Sequence, residues 1–130
     1  MKKLLAYIID DDPVVLQILE SMLENIGFTA LSFTNSKNAL ELLNKAATTS
    51  KDSPDLIMLD FMLGEDNGVE VLQQIRQIKS CEDLAVVMLS SNSPDELPPA
   101  KYNQADAFLQ KPFTTDSLKS VLLELSVLKS

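Results

Sequence analysis

Acidic, hydroxyl and basic side chains stand at the ends of short apolar runs in this chain. Leu4 to Ile9 runs into Asp10-Asp11-Asp12, and Leu56-Ile57-Met58-Leu59 runs into Asp60. Leu84 to Leu89 is followed by Ser90-Ser91, and Ala107-Phe108-Leu109 is followed one residue later by Lys111. Clustered carboxylates repel one another and raise each other's pKa unless a cation compensates. A hard divalent ion such as Mg²⁺ takes one or two carboxylates and keeps several waters, which leaves room for phosphate oxygens. A lysine can neutralise a phosphoryl oxygen as a point charge, a serine hydroxyl can donate to another, and one aspartate can act as nucleophile. If these strand ends meet, the chemistry they fit is phosphoryl transfer. The chain has no histidine, which excludes a Ser-His-Asp triad, a histidine-ligated metal and an internal phosphohistidine.

Whether they meet depends on the elements between them. The run Leu4 to Ile9 suits a strand covered on both faces. Asp12 is placed as an N-cap, with Pro13 at the first helical position. Apolar residues from Val14 to Ile26 then recur at helical spacing until Gly27. Phe28 to Phe33 reads as a second strand, and Asn35 or Ser36 caps a second helix that dissolves from Ala47 into a polar loop. Asp55 to Asp60 is the third strand, Phe61 to Gly68 a loop with two glycines, and Val69 to Ile78 a third helix. Leu84 to Leu89 and Ala107 to Leu109 complete five strands. Between them Ser93 begins a helix that Pro98-Pro99 would break, and Thr114 or Thr115 caps a last helix bearing Leu118, Val121, Leu122, Leu125 and Leu128.

Strands alternating with helices over short connections predict an α/β fold, a doubly wound five-stranded parallel sheet with helices on both faces and a flavodoxin-like order 2-1-3-4-5. Ligands in such sheets bind outside the carboxyl ends of the strands, at the switch point between strands one and three. That edge is where Asp10, Asp11, Asp60, Ser90 and Lys111 emerge. At 130 residues with 45% apolar content, residues 1–130 are expected to form a single domain. A net charge of −8 argues against direct contact with nucleic acid or anionic lipid. No apolar stretch approaches the roughly 20 residues needed to span a bilayer, and the single cysteine suits a reducing cytoplasm.

Four segments together resemble the receiver domain of response regulators: Ile8-Ile9-Asp10-Asp11-Asp12-Pro13, Pro54 to Asp60, Val87-Met88-Leu89-Ser90-Ser91 and Lys111-Pro112-Phe113. The resemblance implies a phosphoacceptor at Asp60, with Ser90 and Lys111 completing the reacting set. It implies Mg²⁺ held by Asp10, Asp11, Asp60 and the main-chain carbonyl of Met62, with Asp11 the closer and Asp10 mostly a water-mediated ligand. A cis Lys111-Pro112 bond, a switch formed by Ser90 and Phe108, and dephosphorylation tuned by the Met62 and Asn92 side chains follow in the same way. The implied phosphoryl donor is a sensor histidine kinase or a histidine phosphotransfer protein. Output would pass to a downstream protein, to a phosphorylation-dependent homodimer, or onward as a phosphoryl group. Such a protein is a signalling phosphoacceptor that catalyses only its own phosphorylation and dephosphorylation, not an enzyme for an external metabolite.

Two rivals share some of these residues. Asp10 and Asp12 have the spacing of the nucleophile and general acid in haloacid-dehalogenase-like phosphohydrolases, but that reading leaves Asp60 without a task and supplies no acidic pair after Lys111. A degenerate receiver acting only as a binding module is the other, and the complete acidic, hydroxyl and lysine set argues against it.

Overall fold

A computed structural model describes residues 4–49, 53–63, 66–78, 81, 84–91 and 105–125. Five parallel strands form its main sheet: β1 (Leu4–Ile9), β2 (Phe28–Phe33), β3 (Leu56–Asp60), β6 (Ala85–Ser90) and β7 (Ala107–Gln110). Their order is β2-β1-β3-β6-β7, which is the expected 2-1-3-4-5 arrangement. The central strands β1, β3 and β6 carry near-continuous apolar residues because both of their faces are covered, whereas the edge strands β2 and β7 are partly exposed.

Helices α1 (Pro13–Ile26) and α4 (Thr115–Glu124) cover one face, where Leu19, Leu23, Leu118 and Leu122 pack on Ile8, Met58, Val87 and Leu89. On the other face α2 (Ser36–Thr49) and α3 (Gly68–Gln77) bring Ala39, Leu43, Leu72 and Ile75 against Tyr7, Ile57, Leu59 and Met88. Because side chains alternate along a strand, even-numbered residues of β1 and β3 belong to the first layer and odd-numbered residues to the second.

The helix ends follow their sequence signals. Asp12 Oδ1 accepts from the Val14 amide at 2.9 Å, with Pro13 next to it. Gly27 stops α1 at φ +123°, its N–H donating to the Leu23 and Glu24 carbonyls. Asn35 accepts from the Asn38 amide at the start of α2. Thr114, rather than Thr115, caps α4 through a reciprocal box with Ser117.

Two segments differ from the sequence reading. Helix α2 continues to Thr49 instead of dissolving at Ala47, because Ala46 is buried, Ala47 packs on the core and Thr48 Oγ1 donates to the Lys45 carbonyl. The segment after Asp60 is more than a loop: β4 (Met62–Leu63) and β5 (Asp66–Asn67) form a short antiparallel ladder. The helix expected around Pro98-Pro99 lies outside the described residues. No helix among the described residues is long and apolar enough to cross a membrane.

Candidate functional site

The carboxyl ends of β1 and β3 adjoin at the centre of the sheet, and acidic residues stand there, Asp10 just beyond β1 and Asp60 as the last residue of β3. Asp10 follows β1, its amide donating to the Phe33 carbonyl at the end of β2. Its side chain is fully buried, and both oxygens are engaged: Oδ1 accepts from the Asp12 amide at 2.9 Å and Oδ2 from Lys111 Nζ at 3.0 Å. Asp11, one residue further into solvent, is exposed. Asp60 ends β3 opposite Leu89 of β6, and the Phe61 amide donates to the Leu89 carbonyl. Carboxylate oxygens of Asp10, Asp11 and Asp60 lie within 4.8 Å of one another.

Lys111 reaches this group from the end of β7. Its amide donates to the Ser90 carbonyl at 2.7 Å, and its Nζ lies 3.5 Å from Asp60 Oδ1 as well as 3.0 Å from Asp10 Oδ2. The Lys111-Pro112 bond is cis, as expected. Burial is the largest single influence on the Lys111 ammonium and draws its pKa down; the hydrogen bond to Asp10 and the charges of Asp60 and Asp10 together outweigh it, so the pKa ends above its ordinary value. Three carboxylates against one ammonium leave a formal charge of −2 at the sheet edge. One divalent cation cancels that charge.

The structure thus brings together Asp10, Asp11, Asp60 and Lys111. Ser90, buried at the end of β6, is one residue beyond Asp60's strand partner. Phe108 is half-buried against the α2/α3 layer and pairs with Met88, two residues before Ser90 on the same sheet face. Met62 lies in β4, two residues past Asp60, paired with Asn67. The Met62 side chain and Asn92 lie outside the described residues. Asp12 is the cap of α1 and is absent from the carboxylate cluster.

Two neighbours of the site were not singled out from sequence. Asn67 caps α3 by accepting from the Val69 amide at 2.8 Å, and the Gly68 amide donates to the Phe61 carbonyl at 2.9 Å. An asparagine before a glycine reads as a turn, but Asn67 followed three residues later by Glu70 at the start of an apolar helical run is also an N-cap signature that the loop reading passed over. At the opposite rim, Arg76 of α3 donates to the Cys81 and Leu84 carbonyls and pairs with Asp106 at 2.8 Å.

Residues 6–123 match the family model described as the response regulator receiver domain. Among curated proteins, the chain is 32% identical over 113 residues to the alkaline phosphatase synthesis transcriptional regulatory protein PhoP of Bacillus subtilis, covering 87% of this chain and 43% of PhoP. It is 30% identical over 128 residues to the probable methanogenesis regulatory protein FilR2 of Methanothrix harundinacea, covering 88% of this chain and 83% of FilR2. The chain therefore spans less than half the length of PhoP. The crystal structure of the Vibrio cholerae chemotaxis protein CheY4 superimposes with a TM-score of 0.83 at 20% identity, over 95% of this chain and 99% of CheY4, a likeness of fold. The chain belongs to the response regulator receiver domain family, the phosphoacceptors of two-component signalling.

Proposed function

We propose that this receiver, formed by residues 1–130 as one domain, accepts a phosphoryl group on Asp60 from a phosphohistidine of a sensor histidine kinase or histidine phosphotransfer protein. The observation that carries the assignment is the meeting of Asp10, Asp11 and Asp60 within 4.8 Å, with Lys111 joined to Asp10 and Asp60. Mg²⁺ fits this donor set, and Asp10, Asp11, Asp60 and the Met62 carbonyl would hold it. Bound there, it neutralises charge on the transferring group and orients its oxygens. Asp10 already commits both oxygens to Asp12 and Lys111, which supports a water-mediated part for it. The exposed Asp11 is free to turn toward the metal as the direct ligand.

In the reaction an Asp60 carboxylate oxygen attacks the phosphorus, the P–N bond to the donor imidazole breaks, and an aspartyl phosphate forms. Lys111 moves its ammonium from the carboxylates to a phosphoryl oxygen, and the Ser90 hydroxyl donates to another. The phosphoryl group adds about −1.5 to −2 of charge beside these residues. The β6 end then shifts with Ser90, Phe108 turns into the vacated space, and the surface offered to a downstream protein or a second copy changes. Water attack on the phosphorus resets the switch, at a rate that the family resemblance would have Met62 and Asn92 tune. The low pI of about 4.4 and the absence of a membrane-crossing helix among the described residues suit a cytoplasmic signalling role without direct nucleic-acid contact.

Incubation with a small acyl-phosphate or phosphoramidate donor tests the assignment. The expected result is Mg²⁺-dependent label on Asp60, lost in Asp60→Asn because an amide is a poor nucleophile. Label on Asp10 would transfer the reading to the hydrolase class, and no label would leave a binding module.

A further inference from the structure

We infer that Gly68 is a positioning residue for phosphoryl transfer, holding Asp60 and, through Phe61, Met62 in place because α3 can seat directly on the backbone of Asp60 and Phe61 only where no side chain intervenes. The inference rests on the Asp60 and Mg²⁺ assignments above.

Gly68 is the first residue of α3 and donates its amide hydrogen to the Phe61 carbonyl. A Cβ placed on it would overlap the Asp60 carbonyl oxygen and come 2.8 Å from the Phe61 carbonyl oxygen and 2.9 Å from Phe61 Cα. All three are backbone atoms, which cannot rotate aside as the end of a long side chain can. A methyl group there must therefore push α3 off the sheet or displace residues 60 and 61. Met62 feels the same displacement, because the Met62–Asn67 and Leu63–Asp66 pairs and the Phe61–Gly68 hydrogen bond tie residues 61–63 to residues 66–68 as one antiparallel unit. The nucleophile and the proposed carbonyl ligand are the two ends of a segment whose base is Gly68.

The requirement is for space and not for backbone conformation. Among the described glycines only Gly27 has a positive φ, and a Cβ on Gly27 meets nothing within 4 Å. Gly27 ends α1 at the amino end of β2, away from the site. The two glycines form a matched pair: substituting either costs stability, through conformation at Gly27 and through overlap at Gly68, but only Gly68 touches the acceptor.

The test is to follow the Asp11 and Phe61 amide shifts during Mg²⁺ titration of the full chain, and in parallel the rate of labelling by an acyl phosphate. Supporting groups around a metal commonly contribute ten- to a hundredfold in affinity, so Gly68→Ala is expected to weaken Mg²⁺ by about that factor and to slow labelling. Gly27→Ala, although less stable, should match wild type in both. A folded Gly68→Ala protein with wild-type Mg²⁺ affinity overturns the inference. If Gly68→Ala does not fold, Asn67→Ala replaces it: loss of the α3 cap loosens the same seat without overlap, and an unchanged Mg²⁺ affinity there overturns the inference too. Wild-type protein with no Mg²⁺ response would instead remove the metal assignment, and this inference with it.

Discussion

Lys111 Nζ lies 3.0 Å from Asp10 Oδ2, joining the ends of β7 and β1 across 101 positions of sequence. Asp10 is fully buried while Lys111 retains 21% of its side-chain exposure, so the carboxylate depends on the ammonium more than the reverse. Lys111→Met leaves a buried charge short of one partner and should lower stability at neutral pH, in Mg²⁺-free buffer, by about 2 kcal/mol. Adding Asp10→Asn should recover part of that loss. Because the folded pKa of Lys111 is raised, the contribution is complete below the ordinary lysine range and is lost as pH rises through the higher folded value. Wild type and Lys111→Met should therefore differ by a constant amount from neutral to mildly alkaline pH and converge only above the lysine range. Melting curves of both proteins across that interval check this, and convergence at neutral pH would contradict it.

Mg²⁺ should act as a stabiliser of the folded chain. Binding at about a hundred times its Kd adds about 2.7 kcal/mol by mass action. Asp11→Ala should remove most of that gain and prevent phosphotransfer, while leaving the metal-free protein as stable as wild type or more so, since like-charge repulsion falls. Denaturant midpoints with and without Mg²⁺ report both effects. Equal Mg²⁺ stabilisation of the variant would show that Asp11 is not a ligand.

Phe108 and Ser90 occupy the same sheet face, Phe108 opposite Met88 and Ser90 opposite Gln110. Movement of Ser90 toward a phosphoryl group opens space on the Phe108 side. Aromatic resonances of Phe108 should change when a phosphate mimic binds with Mg²⁺ and stay unchanged with Mg²⁺ alone. Identical spectra in the two states would exclude the switch.

The lifetime of the phosphorylated state should depend on Met62. A thioether cannot orient a water for attack on phosphorus and can cover its approach, so Met62→Asn should hydrolyse faster at saturating Mg²⁺. A decay rate equal to or below that of wild type would remove Met62 from the water path.

The carboxyl edge of the sheet is legible in the sequence because its signals are strong and local. Continuous apolar runs mark β1, β3 and β6, and each leads straight into a site residue. Strand alternation even carries the facing: Asp10 extends the register of Ile8, Asp60 that of Met58 and Lys111 that of Leu109, all on the α1/α4 side. The caps at Asp12 and Thr114 carry their own chemistry. What escaped has no period or local partner to reveal it. A two-residue strand such as β4 is too short to alternate, a loop glycine does not say whether it supplies rotation or room, and Arg76 finds its ion-pair partner 30 residues away at Asp106. The length of α2 was set by packing of Ala46 and Ala47, which overrode the weak helix preference of the threonines after them.

The far pole of the sheet offers a way to watch the molecule breathe. Cys81 is buried, its carbonyl is gripped by Arg76, and it is the chain's only thiol. A sulfhydryl reagent therefore has a single target, and that target is buried. Its rate of alkylation reports how often the buried thiol is exposed, as an intrinsic gauge of local opening at the end of the sheet opposite the phosphoryl chemistry. Comparing that rate before and after phosphorylation gauges how far the signal penetrates along the strands.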